Sequence, residues 1–283
     1  MVIDAHVYSL PPRLQQVDCS FPAEEHGAPR AIHHSSPVSV AKRALRLSSA
    51  EEILASMSVA GVDVSVLTAL PWNSPSLCVE NNEYILDRAA NDRLHFLPVC
   101  AVQPKNISWL RDVQECVDRG AIGLKINPEW QGFSLEDPEV IQLCSFCAEA
   151  KIFLEIHIDH AFKKSSTSAA ALCSLLKSCP ATKILATHLG GLLGLYFLHP
   201  PIAALLRNVW FDTAVSSTLQ FVDFYLQVGL GQKVVFGSDF PFNHSHSQRQ
   251  VLEGLRARGY DNETLANLCA KNFQALCASG QSS

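Results

Sequence analysis

Short runs of apolar and β-branched residues recur along the chain at 2–6, 62–69, 94–102, 121–126, 152–157, 183–188, 209–212 and 233–239. Their length and near-continuous apolarity mark strands buried on both faces, as in a parallel sheet. Between them apolar positions return with helical period over 48–60, 80–91, 107–119, 138–150, 167–178, 192–206 and 217–228, and helical stretches at 248–258 and 262–276 follow the last run. Ser49 and Glu52 have the spacing of a capping box at the head of the first helix. This alternation predicts an α/β fold, a single-domain (β/α)8 TIM barrel covering residues 1–283. No Gly-x-Gly-x-x-Gly follows the first strand, which removes the main sign of a doubly wound dinucleotide fold. One stretch breaks the rhythm: residues 9–47 carry Pro11, Pro12, Pro22, Pro29 and Pro37 with a His26, His33, His34 cluster. It leaves the C-terminal end of the first strand and is expected to be a loop insertion over the barrel mouth.

Composition sharpens this picture. Hydrophobic residues make up 48% and charged residues 17%, against about 25% charged in a typical domain; strands buried on both faces demand that balance. Lys+Arg 22 against Asp+Glu 27 gives a net charge of -5, which excludes a basic nucleic-acid or membrane-binding surface. The most apolar long stretch, 190–206, is interrupted by His199, Pro200 and Pro201 and falls short of the roughly 20 residues that span a bilayer. The opening MVIDAHVYSLPPR has no charged and then apolar leader pattern, so a cytoplasmic protein with reduced thiols is expected. The ten cysteines are irregularly spaced. Cys144 and Cys147 form a C-x-x-C inside a predicted helix with Ile141, Phe146 and Ala148, and Cys173 and Cys179 do not supply a second pair at zinc spacing. They read as buried structural thiols.

The chemistry is expected where polar residues close the strands. Asp4, His6 and Tyr8 stand at the end of the first strand, Lys125 in the fourth, His157 at the end of the fifth, His188 of the sixth and Asp239 of the eighth. In a barrel these ends converge on the C-terminal mouth, where active sites of this architecture sit. A lone histidine at a strand end is an ordinary core residue; three with an aspartate at the same end form a set that suits one divalent ion, Zn²⁺ or Mn²⁺. Such an ion acidifies bound water or polarises a carbonyl. Lys125 either reaches solvent or faces the mouth. His160, His244 and His246 read first as loop residues, Trp72 and Trp130 as walls of an apolar pocket, and Phe240 to Phe242 as its rim, with Pro241 fixing the turn.

At these residues the chain resembles the amidohydrolase-related branch of the amidohydrolase superfamily, which includes aminocarboxymuconate-semialdehyde decarboxylase-like enzymes. The motifs are Ile3-Asp4-Ala5-His6, Gly123-Leu124-Lys125-Ile126-Asn127-Pro128, Glu155-Ile156-His157, Ala186-Thr187-His188-Leu189-Gly190-Gly191, Phe211-Asp212-Thr213 and Phe236-Gly237-Ser238-Asp239-Phe240-Pro241-Phe242. The resemblance implies a distorted (β/α)8 barrel, with His6 and His157 as metal ligands, His188 as a metal-proximal catalytic histidine, and Asp239 as a ligand that also shuttles a proton. One position departs from the family pattern: Tyr8 stands where the second histidine of His-x-His is usual. The metal is then held by His6, His157 and Asp239 with extra water, or the barrel works without metal, or it has lost catalysis and binds a small molecule. With the metal kept, Tyr8 is placed to donate to a developing oxyanion.

The leading expectation is metal-dependent hydrolysis of a small amide, lactone or ester, with His188 and Asp239 catalytic and Tyr8, Lys125 and Trp72 against substrate. The alternative is a non-oxidative decarboxylase, a carbon–carbon lyase of an aromatic or unsaturated acid. That chemistry needs a cation for the carboxylate, which Lys125, Arg249, Arg13 or Arg30 could supply. The expected partner is a small-molecule substrate, with no nucleic acid and no membrane; assembly into a homo-oligomer stays open.

Overall fold

In the computed structural model, which describes residues 1–16, 25, 48–158, 167–214, 219–242 and 247–278, eight parallel strands pair in chain order. They are β1 Ile3–Tyr8, β2 Val64–Thr68, β3 Phe96–Ala101, β4 Gly123–Ile126, β5 Phe153–Ile156, β6 Ile184–Ala186, β7 Val209–Asp212 and β8 Val234–Val235. The ring is nearly closed where Ala5 N–H donates to Phe236 O (2.9 Å) and Tyr8 N–H to Phe240 O (2.8 Å). Helices fill the connections, giving a single-domain (β/α)8 barrel as the alternation predicted. No helix among the described residues is long and apolar enough to cross a membrane.

The helices start and stop for local reasons. Ser49 caps Ala50–Ala60 by accepting from Glu52 N–H at 3.1 Å. Pro138–Ala150 matches its predicted bounds and buries Cys144 and Cys147, and the described cysteines are all free thiols. The predicted helix at 192–206 is a correction: it divides into a 3-10 turn, Leu193–Tyr196, and a helix, Pro200–Leu205. Pro200 and Pro201 lack the N–H a continuing helix needs and fit only its first turn. The stretch at 262–276 likewise breaks into Asn262–Ala266, a π turn and Asn272–Cys277. Most of 9–47 lies outside the described residues, as do His26, Arg30, His33 and His34. Glu25 is described, and its buried carboxylate accepts from Ser74 N–H at 3.0 Å.

The interior is built in layers because side chains alternate along each strand. Ile3, Ala5, Val66, Val99, Phe153, Leu185, Trp210 and Val235 form one apolar cluster with Ala270, Phe273 and Leu276 of the C-terminal segment. Only the barrel axis brings those strands together, so this cluster is its floor. One step further along the same faces come Thr68, Lys125, Glu155 and Asp212, all buried. Strand β1 joins this polar layer through a register shift between Asp4 and Val7. The bulge turns His6 inward directly after Ala5.

Candidate active site

His6 lies at the centre of the polar layer. Its Nδ1 is 2.8 Å from Asp212 Oδ2, and both side chains are fully buried. Asp212 Oδ1 accepts from the backbone N–H of His188 (2.7 Å) and Ala214 (3.2 Å). This carboxylate assigns the imidazole proton to Nδ1 and leaves the Nε2 lone pair facing Glu155 and Asp239. Burial, reinforced by the Lys125 ammonium, lowers the His6 pKa to about 3, so the ring is neutral at ordinary pH. Lys125 Nζ donates to Glu155 Oε1 at 2.6 Å, with neither side chain exposed. The same ammonium sits 5.7 Å from the centre of the Tyr8 ring. Gly237 permits this crowding: a Cβ there would stand 3.1 Å from those of His6 and Asp212.

Asp239 is held by backbone hooks rather than by a strand ladder. Its N–H donates to His6 O at 3.0 Å, and its φ of 60° lies in the left-handed region. The preceding Ser238 gives its N–H (2.9 Å) and Oγ (2.6 Å) to Asp4, whose carboxylate also accepts from Gln248 Nε2 at 2.9 Å. Burial lifts Asp4 to a pKa of about 6. These side-chain acceptors explain why β8 is shorter than its apolar run: past Val235 the backbone donors leave the ladder. The same holds in β6, where His188 adopts φ 55° and gives its N–H to Asp212. Asp239 keeps 19% side-chain exposure, whereas His6 and Glu155 have none. Burial and then the neighbouring Asp212 raise its pKa well above the usual carboxylate range.

His188 and His157 form an edge-on pair, with Nε2 and Nδ1 3.3 Å apart. Burial and the His157 ring hold His188 well below the ordinary imidazole pKa. His157 stacks on Trp130 at 5.9 Å. His188 in turn lies 6.0 Å from the His6 ring, so the predicted strand-end residues do come together.

A divalent cation fits the donor set. His6 Nε2 and Glu155 Oε2 are buried with no hydrogen-bond partner, an unfavourable state that a bound cation relieves. Donor atoms of His6, Glu155 and Asp212 lie within 4.8 Å of one another, a group that could hold a metal ion. Burial and the neighbouring Asp212 raise the Asp239 carboxyl well above its usual range, so an ion that takes this oxygen as a ligand competes with a proton for it. Mn²⁺ affinity is therefore expected to fall as pH is lowered. Calorimetric titrations in buffers of different ionisation enthalpy should show proton release, and a pH-independent affinity would contradict this.

Tyr8 lies edge-on to His6 at 5.0 Å and to Phe242 at 5.3 Å. Trp72 is a correction to the expected pocket wall: it is fully buried in the outer core, and its indole N–H donates to Asn81 Oδ1 at 3.2 Å. That bond pins the chain after β2. Arg249 pairs with Glu253 along its own helix and Arg13 with Glu80, both away from the cluster, so among the described residues Lys125 is the candidate cation that reaches it. His160, His244 and His246 lie outside the described residues. Glu155 and Asp212 were not expected as site residues. The signal was present: Glu155 precedes His157 by two positions and so shares its face of the strand.

Comparison with known proteins places this geometry. No curated protein matches the chain in sequence. Among solved structures it is similar to 5-carboxyvanillate decarboxylase of Novosphingobium aromaticivorans DSM 12444, complexed with manganese and 4-hydroxy-3-methoxy-5-nitrobenzoic acid (TM-score 0.78, 16% identity, 98% of this chain and 96% of that one). It is similar to 2,6-dihydroxybenzoate decarboxylase from Rhizobium (TM-score 0.76, 13% identity, 98% of each chain). A third is a probable 2-pyrone-4,6-dicarboxylic acid hydrolase of Acinetobacter baumannii (TM-score 0.63, 13% identity, 98% of each chain). At these identities the likeness establishes the shared barrel. The Amidohydrolase family model matches residues 4–272, and the chain belongs to that family.

Proposed function

We propose that the chain is a divalent-metal-dependent decarboxylase of a planar aromatic or unsaturated carboxylic acid. The observation that carries this is the Lys125 ammonium: it is fully buried in the polar layer, and its charge is felt at His6, His188, Asp212 and Asp239. An enzyme that removes CO₂ must first hold a carboxylate, and a cation facing the metal-capable cluster does that. Fold relatives that decarboxylate aromatic acids support the same reading.

His6 Nε2 and Asp239 would hold the ion, with His157 as the further ligand the family resemblance implies. When bound, the ion neutralises the substrate carboxylate and draws charge from the breaking bond. The rings of Tyr8, Phe242 and Trp130 offer flat faces for a planar acid. Asp239, the more open carboxyl of the cluster, relays a solvent proton to the carbon as the bond to CO₂ breaks and its electron pair stays on that carbon. His188, which burial holds well below the ordinary imidazole pKa, takes up or returns that proton beside His157. A mixed set of imidazole nitrogens and carboxylate oxygens suits Mn²⁺ as well as Zn²⁺, and the free, mostly buried thiols favour a reducing cytoplasm.

Hydrolysis of a small lactone, amide or ester is the second reading, favoured by the same buried His188, which can accept a proton from attacking water. Incubating the Mn²⁺-loaded protein in D₂O with hydroxybenzoic acids, unsaturated diacids and lactones separates the two. Decarboxylation yields CO₂ and one deuterium at the carbon that lost it. Ring-opened product without CO₂ would sink the leading reading, and conversion of none of these compounds would sink both.

A further inference from the structure

We infer that Glu155 is itself a ligand of the divalent ion, and that Asp212, in the same cluster, is not. This rests on the metal-dependent reading above and deepens it.

The argument begins with lone pairs. Asp212 engages Oδ2 with His6 Nδ1 and Oδ1 with two backbone N–H groups, so both oxygens have partners. Fixing an imidazole through its far nitrogen is the part an outer carboxylate plays for a metal-bound histidine. Glu155 is the opposite case. Its Oε1 accepts from Lys125, while its Oε2 is fully buried and accepts from nothing. His6 Nε2, across from it, is also buried without a hydrogen-bond partner.

Spacing supports the same assignment. His6 Nε2 lies 3.5 Å from Glu155 Oε1 and 3.7 Å from Asp239 Oδ1. Two donors each about 2.1 Å from one ion, at a tetrahedral angle, stand about 3.5 Å apart. His6 Nε2 on β1 therefore stands at ligand separation from the carboxylates of Glu155 in β5 and of Asp239 after β8, the Glu155 oxygen at that distance being the one Lys125 also holds. Lys125 supplies the compensating charge for Glu155, donating to its Oε1 at 2.6 Å. A glutamate held only as the counter-ion of Lys125 would have no reason to stand at that distance from an unpaired imidazole nitrogen.

The direct test is a crystal structure of the wild-type protein grown with Mn²⁺. The expected result is an ion within about 2.2 Å of a Glu155 oxygen, with Asp212 still on His6 Nδ1. A second test follows Mn²⁺ uptake by electron paramagnetic resonance in the double variant Lys125→Met, Glu155→Gln, which is neutral in the buried layer. Removing Lys125 takes positive charge away from a cation site and can only favour uptake. Weakening by about a hundredfold or more, beyond what loss of an outer partner causes, then reports a lost Glu155 ligand. An ion bound by His6 and Asp239 with Glu155 turned wholly to Lys125, or a double variant that binds as tightly as wild type, would overturn the assignment and leave metal dependence standing. A wild-type protein that takes up no Mn²⁺ would remove both.

Discussion

Asp239→Asn is expected to lower kcat by about a thousandfold or more, within the range that a positioned acid or base contributes. Asparagine preserves the shape of the turn but neither carries the proton nor offers a charged oxygen to the ion. The position has no substitute nearby. Asp212 is fully engaged by His6 and two backbone donors, Glu155 is bound to Lys125, and Asp4 is committed to Ser238 and Gln248. Steady-state turnover at saturating Mn²⁺, with metal content measured on the same sample, separates the lost proton relay from a lost ligand. Near-normal turnover by a fully loaded Asp239→Asn protein would refute the role given to this carboxyl.

The second large effect is on stability. Lys125→Met leaves the Glu155 carboxylate buried without its cation, and both side chains have no exposure to solvent that could screen the charge. Breaking such a pair from one side costs about 3–5 kcal/mol, which for a chain of this size lowers Tm by roughly 5–8 °C. Removing both charges, as in Lys125→Met with Glu155→Gln, is expected to return Tm close to wild type, because the desolvation cost disappears with the pair. Thermal denaturation of the metal-free proteins reads this directly. A single variant as stable as wild type would mean that Glu155 is neutralised in some other way.

The barrel was legible because strands buried on both faces leave long apolar runs: β2 through β8 fall within the predicted stretches, and β1 runs two residues past the end of its own. The convergence of His6, His157, His188 and Asp239 was legible for the same reason: strand ends of one barrel share a mouth. What escaped depends on parity and on side-chain acceptors. Glu155 and Asp212 looked like strand interior, yet inward positions recur every second residue, so the step before His157 already belongs to the site. In β1 the parity itself shifts at the bulge, which no alternation in Ile3-Asp4-Ala5-His6 announces. Strands β6 and β8 stop short of their apolar runs because Asp212 and Asp4, distant in sequence, take the backbone donors of His188 and Ser238. Trp72 misled because an aromatic residue just after a strand looks the same whether it lines a pocket or, as here, anchors a loop through Asn81.

The apolar floor has a consequence for traffic. Phe153 packs against Phe273 at 6.0 Å directly beneath the polar layer, and Ile3, Val66, Val99, Leu185, Trp210 and Val235 complete the seal with Leu276. Among the described residues the barrel is thus closed at this end. The proposed ion and substrate would therefore share one route in and out, so a substrate seated above the ion would also block its exchange.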